Sequence, residues 1–358
     1  MDEEEHESGL DRRTFLSVGA AGALVCTIGG ERVVLRSPED AKKADGAARR
    51  VRRPTGKAAQ AAQTGQTFPT PQPAPGGQVR EHWIQARSVM WDVVPKRRDE
   101  WHDKRVPGPT KFRALVYQEM SPGFASPLAP ARIPGPTLRA EVGDLLVVHF
   151  RNADEHFEQA LTMHPHGVRY NPEYDGAYMG DFTRAGGFIG PGEEFTYRWE
   201  VTPDAVGAWP YHDHGPNHTL NTFRGLFGGI IVYPKGAKAP DVEHLLFAHQ
   251  LAPPVTGLER QFQAINGRSF AGNTPTMRAK VGQDVAFHVF GMDNNFHTFH
   301  VHGHRWKDPS GQFVDNPTVG PNETVTARFT EDNPGRWLYH CHVFSHQMGM
   351  TGWYDVAP

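Results

Sequence analysis

Four short segments of the chain hold histidines one residue apart: His164-Pro165-His166, His212-Asp213-His214, His300-Val301-His302 and His340-Cys341-His342. On an extended strand, residues i and i+2 face the same side, so each segment can aim two imidazoles into one cavity. A single pair of this kind is ordinarily a surface or core feature; four pairs at matching places ask for another explanation. Eight imidazoles exceed the four ligands that satisfy a zinc ion. They suit a cluster, and imidazole-rich sets favour copper among the divalent metals. The last segment adds His297, Cys341, His346 and a nearby methionine. Two histidines, a thiolate and a weak axial ligand make a blue-copper electron-transfer site. Cys341 points to the strand face opposite His340 and His342, so a copper on its sulfur would be joined to cluster coppers on both neighbours by a short covalent route. A buried cysteine is otherwise a small hydrophobe, a role that leaves its histidine neighbours unexplained.

The segments that position these groups are written twice. Pro136-Thr137-Leu138-Arg139-Ala140-Glu141-Val142-Gly143 recurs as Pro275-Thr276-Met277-Arg278-Ala279-Lys280-Val281-Gly282, and each copy leads into an alternating segment, Asp144 to Phe150 and Asp284 to Phe290. His166-Gly167 and His302-Gly303 follow, then Gly190-Pro191 and Gly320-Pro321, then Trp209-Pro210-Tyr211-His212 and Trp337-Leu338-Tyr339-His340. Landmarks in one order, repeated, mean two related domains. Short segments rich in Val, Phe, Thr and Tyr, cut by Gly and Pro, predict an all-β chain of two antiparallel sandwiches with a boundary near Lys235 to Asp241. In the repeat Cys341 aligns with Asp213, His297 with Leu161 and His346 with His218. The first domain therefore lacks a thiolate and one imidazole, and is expected to hold cluster ligands only.

Of 358 residues, 37 are Lys or Arg and 40 Asp or Glu, for a net charge of −3. No long basic block lies in the globular part, which argues against a nucleic-acid partner. Arg12-Arg13 before the apolar run Val18 to Gly30 resembles a twin-arginine export signal, and the run is too short for a stable membrane span. We assign 1–45 to that signal, 46–78 to a disordered linker rich in Ala, Gln, Gly and Pro, 79–237 to domain 1 and 238–358 to domain 2. An exported protein would then reside outside the cell, in the periplasm or on the cell surface. Of two cysteines, Cys26 falls in the signal, so Cys341 stands alone, without an internal disulfide.

The four histidine segments, with His297-Thr298-Phe299-His300 and His342-Val343-Phe344-Ser345-His346, resemble the copper motifs of multicopper oxidases, in particular the two-domain bacterial small laccases, over residues 80 to 358. That resemblance implies two cupredoxin-like Greek-key β-sandwiches and four copper ions per subunit. His297, Cys341 and His346 would hold the type 1 copper, His164 and His300 the type 2, and His166, His212, His214, His302, His340 and His342 the type 3 pair. It also implies a homotrimer with the cluster between domain 1 of one subunit and domain 2 of the next, phenols or aromatic amines as reductants, and dioxygen reduced to water. The family usually places its axial residue five after the second type 1 histidine, here Thr351; Met350, one residue earlier, offers the preferred thioether and is assigned as the axial ligand. Tyr170 and Asp175 match a pattern that lies near the cluster and assists proton or electron delivery, although Asp175-Gly176 also reads as a turn. Asp315 matches a segment near the type 1 site that would accept a phenol proton, with a turn as its competitor. Asn295 and Phe296 stand where small laccases often carry tyrosines, so tyrosine chemistry is not carried over. His149, His288 and His304 are expected to be structural.

Other readings compete. A copper nitrite reductase keeps its type 1 cysteine in the first domain and needs fewer cluster imidazoles. A copper carrier has no use for a His-Cys-His bridge. A cuprous-ion oxidase would be favoured by a Met-rich insert, and the nine methionines form no such block.

Overall fold

The computed structural model describes residues 24–28, 31–53 and 68–358. Arg12-Arg13, part of the apolar run and residues 54–67 lie outside them.

Two sandwiches are built alike. In the first, the strands Glu194–Glu200, Leu145–Asn152, Val79–Asp92 and Lys111–Met120 form one sheet, in that order; Thr137–Glu141, Phe227–Tyr233, Gly207–His212 and His164–Pro165 form the other. In the second, Phe262–Ile265, Val242–Leu251, Asp284–Gly291 and Thr324–Thr330 face Met277–Lys280, Thr351–Ala357, Gly335–His340 and His300–Val301. Residues 234–241 join the two. The sheets are mixed, which corrects the antiparallel expectation: Val79 pairs with Leu145, Gly229 with Thr137, Val242 with Val285 and Met277 with Tyr354 in parallel register. Alternation reports which face a residue takes and is blind to strand direction.

Alternation also explains three apolar cores. Leu146, Val148 and Phe150 point between the sheets of domain 1, with Tyr197, Trp199, Ile230 and Tyr211. Val285, Phe287 and Val289 do the same in domain 2, with Tyr339, Tyr354, Cys341 and Met350. Phe290, on the opposite face of that strand, enters a third core shared by the domains, where it stacks on Phe247 at 4.2 Å beside Phe227 and Ile231. Asp284–Gly291 is therefore buried on both faces. The repeated landmarks have a common job: Tyr211 and Tyr339 each donate a hydroxyl to a proline carbonyl, Pro136 and Pro275, at 2.6 Å. Gly167 has φ 75°, and a Cβ there would stand 2.1 Å from the Trp209 ring, so the His-Gly step after the first histidine pair excludes larger residues.

The N-terminal assignments need amendment within the described residues. Pro38–Arg50 is an α-helix, so the linker assigned to 46–78 begins in an ordered element. Ser37 and Asp40 form a reciprocal capping box, worth about 1 kcal/mol. Ala41, Ala44 and Ala48 pack with Leu35 of the hairpin Leu24–Ile28/Glu31–Leu35 onto Leu220, Phe223 and Val255. Its alanines are the small side chains that let the helix dock closely. Residues 68–78 run along domain 1, where Gln78 donates to Asp144 at 2.8 Å and Pro71 accepts from Arg198 at 3.2 Å. Among the described residues no helix is long and apolar enough to cross a membrane.

Candidate metal centre

Strand pairing brings the histidine segments together. His164 is the register partner of His212, and His300 of His340. In domain 1 the ring of His164 lies 5.1 Å from His166, 5.5 Å from His212 and 5.1 Å from His214. In domain 2 His300 lies 5.3 Å from His302, 5.5 Å from His340 and 5.6 Å from His342. The quartets match in detail: His166 Nε2 faces His212 Nε2 at 3.1 Å, and His302 Nε2 faces His340 Nε2 at 3.1 Å. Each quartet is closed on itself. Among the described residues no ring contact joins a histidine of one to a histidine of the other, and His302 is exposed.

Backbone carbonyls set the tautomers. Nδ1 of His164 donates to Asp175 O at 2.6 Å, His212 to Asp213 O at 2.8 Å, His300 to Asp315 O at 2.8 Å and His340 to Cys341 O at 2.9 Å. A proton held on Nδ1 leaves the Nε2 lone pair as the ligand. Burial keeps His166, His212, His214 and His340 neutral. It lowers His166 to about 4, with help from His164; His214 to about 4, with help from His218; and His340 to about 4, with help from His302. It holds His212 well below the usual histidine range. Neutral imidazoles with converging lone pairs are what a divalent metal requires.

The third group is His297, Cys341 and His346, all buried, with ligand atoms within 4.8 Å of one another. Cys341 Sγ lies 3.8 Å from His346 Nδ1 and accepts from the Thr298 amide at 3.4 Å. Burial opposes the thiolate, but the neighbouring His297 and His346 outweigh it and bring Cys341 down to about 6. His297 Nδ1 is buried with no hydrogen-bond partner, an orphan that a metal ion would satisfy. A soft thiolate with two imidazoles fits copper. Met350 is fully buried in the cluster that contains Cys341, whereas the Thr351 hydroxyl is committed to Gln347 O at 2.6 Å.

Tyr170 and Asp175 both meet His164. The Tyr170 ring is 5.8 Å from it, and Asp175 Oδ1 is 3.1 Å from Nδ1 while Arg184 grips Oδ2 at 2.7 Å. Asp315 has a neighbour that the sequence did not suggest. Its exposed carboxylate lies 3.9 Å from His300 Nδ1, so it is the domain 2 counterpart of Asp175 on the other type 2 candidate. His304 bonds Glu331 at 3.0 Å and the His302 carbonyl; His149 bonds Thr196 and Glu81; His288 bonds Thr326 and Glu243.

Two residues were not anticipated. Asp293, fully buried, places Oδ1 3.1 Å from His297 Nε2; its spacing four before His297 was the available signal. Trp101, on a loop of domain 1, stacks 6.4 Å from His340 of domain 2, and nothing in sequence connects them. In domain 1, Asp213 occupies the place of Cys341: Thr162 N donates to it at 2.7 Å, as Thr298 N does to the sulfur, and Thr162 and Thr298 hydroxyls accept from His214 and His342 amides at 2.9 and 2.8 Å.

Models of multicopper oxidase domains match residues 128–237 and 248–358. The chain belongs to the multicopper oxidase family. Among solved structures, a multicopper oxidase is 25% identical, with a TM-score of 0.61 over 80% of this chain and 92% of that one. The blue copper oxidase from Nitrosomonas europaea is 23% identical, with a TM-score of 0.60 over 78% and 86%, a likeness of fold. Curated relatives include a probable nitrite reductase-hydroxylamine oxidoreductase fusion protein of Kuenenia stuttgartiensis, 31% identical over 63% of this chain and 27% of that protein. Mouse hephaestin is 28% identical over 78% and 30%. The chain thus spans less than a third of the length of these two relatives. Multicopper oxidases are copper-binding oxidoreductases that pair dioxygen with a reducing substrate.

Proposed function

We propose that this oxidase is of laccase type, drawing single electrons from phenols or aromatic amines at His297, Cys341, His346 and Met350 and delivering them to dioxygen at the two histidine quartets. The observation that carries this reading is Cys341. Its sulfur belongs to the buried trio, while the flanking His340 and His342 belong to a quartet. Copper bound at these positions supplies the one-electron redox chemistry and the site for dioxygen. The protein supplies the rest: Asp175, ionised and held by Arg184, with Tyr170 beside it, stands where protons must reach the His164 edge of the oxygen site. The loops that carry the trio expose Phe296, Phe344 and Met348 (56, 80 and 55% exposed). Such an apolar rim suits an aromatic donor better than an aqueous cation.

Copper analysis with a visible spectrum tests this directly. The expected result is four copper ions per chain and an intense blue thiolate band. One or two ions in a fully loaded sample would move the assignment to the nitrite-reductase or carrier reading.

The oxygen site needs both quartets, and within one chain they are separate, so we propose a homotrimer that joins domain 1 of one subunit to domain 2 of the next. Light scattering should give three times the chain mass at working concentration; a stable, active monomer would overturn this.

Metal-ion oxidation is the second reading, favoured by hephaestin among the relatives. Asp293 is closed off from solvent, so it tunes the ligand without meeting an incoming ion. A carboxylate on Nε2–H makes the imidazole a stronger donor and favours the oxidised copper. Asp293→Asn should raise the type 1 potential by about 60–120 mV, the one-electron equivalent of a 10–100-fold change. An unshifted potential in redox titration would deny Asp293 that role. Comparing ferrous or cuprous ions with a dimethoxyphenol as reductant separates the two readings.

A further inference from the structure

We propose that residues 31–53 are a permanent clasp of the working oxidase, and that Asp45 is a positioning residue at the outer end of a buried polar chain that holds the first copper half-site. The nature of the ligand rests on the copper reading above; the docking of the clasp does not.

The clasp is specific. Asp45 and Arg224 are 179 residues apart in sequence and meet through two hydrogen bonds of 2.7 Å, with side chains 11 and 3% exposed. Asn217 donates to the same carboxylate at 3.0 Å. Arg49 donates to the carbonyls of Phe157 and His156, at 2.5 and 3.0 Å, while the Arg224 guanidinium lies 4.1 Å over the Phe157 ring. A bidentate, buried carboxylate on arginine fixes geometry as well as charge.

From Asp45 the polar chain runs inward. Asn217 also donates to Gln159 at 3.0 Å, Gln159 to Asn221 at 2.8 Å, and Asn221 to Asp213 at 2.9 Å. Asp213 receives the Thr162 amide, and the Thr162 hydroxyl receives the His214 amide. Asp213 lies between His212 and His214, so the route ends on the backbone that aims two imidazoles. In domain 2 the same place is filled by Cys341, which the expected copper would hold. Domain 1 has no such metal bond at Asp213 and uses hydrogen bonds, the last of them contributed by the clasp. Without Asp45, Arg224 is left as a buried cation beside Asn217 and Asn221.

The test uses the full-length protein. Asp45→Ala should leave the blue band of domain 2 in place while cluster copper after dialysis and dioxygen consumption fall about tenfold, the usual scale for an outer partner of a metal ligand. Asp45→Asn, which keeps an acceptor for Asn217 and loses the charge facing Arg224, should fall between. Leu35→Ala loosens the apolar side of the clasp and should lower the melting temperature with cluster copper retained. Asp45→Ala with undiminished cluster copper, or an equal copper loss in Asp45→Ala and Leu35→Ala, would overturn the positioning role. If Asp45→Ala does not fold, the N-terminus of the protein taken from its native host decides whether the clasp persists: a start at or before Glu31 supports the proposal, and a start beyond Arg53 overturns it. Should the wild-type bind no copper, the oxidase reading fails separately, and slow hydrogen exchange of the 38–50 amides still reports the docked helix.

Discussion

Cys341→Ser is expected to abolish the blue colour and slow phenol oxidation on the order of a thousandfold, equal to about 4 kcal/mol of barrier. Serine matches cysteine in shape but not in acidity. The thiol is brought to about 6 by His297 and His346 against the effect of burial, so it is largely thiolate at neutral pH, whereas a serine hydroxyl stays protonated. The trio would then lose its soft ligand and the backbone route to His340 and His342 its donor end. The quartets should keep their metal, because their Nδ1 protons are fixed by backbone carbonyls that do not involve the sulfur. Rapid mixing with a phenol, beside copper analysis, reads both halves of the prediction. Turnover within tenfold of wild-type would remove Cys341 from the electron route.

The second large effect concerns the seam between domains. Glu243, on the first strand of domain 2, accepts from Arg139 of domain 1 at 2.6 Å, from Tyr233 at 2.8 Å and from His288 at 3.2 Å. Burial works against its charge, but His288, Tyr233 and Arg139 together hold it down to about 2. Glu243→Ala leaves those donors facing a void and should cost about 3 kcal/mol, or roughly 6–12 °C in melting temperature. The folded-state value lies below the ordinary 4.5, so the stabilisation is complete above about pH 4.5 and drains away as pH falls toward 2. Melting curves of wild-type and Glu243→Gln should therefore be furthest apart near pH 6 and converge near pH 2. A gap independent of pH would assign the loss to packing alone.

The histidine groupings were legible because strand geometry has a period of two and the repeat displays it twice: His164 and His212 had only to be recognised as pair members for their cross-strand register to follow. That domain 1 carries Asp213 and Leu161 where domain 2 has Cys341 and His297 was legible for the same reason. Partners brought together by tertiary folding were not. Asp293 could be suspected from its spacing to His297, yet Trp101 over His340 and Asp45 on Arg224 are products of packing across hundreds of residues or between domains. The equivalence of Asp315 to Asp175 shows only when the two Nδ1 contacts are compared. Strand direction was lost as well, since a buried Val285 looks the same whether its neighbour runs up or down.

Parallel pairing also dictates an order of events in folding. Val79 and Leu145 stand 66 positions apart in the chain and Val242 and Val285 43 apart, and pairings so distant close slowly. The core containing Phe227, Phe247 and Phe290 draws on both sandwiches and is complete only when both are in place. Until then each half carries a naked aromatic face, a kinetic hazard that grows with crowding of nascent chains.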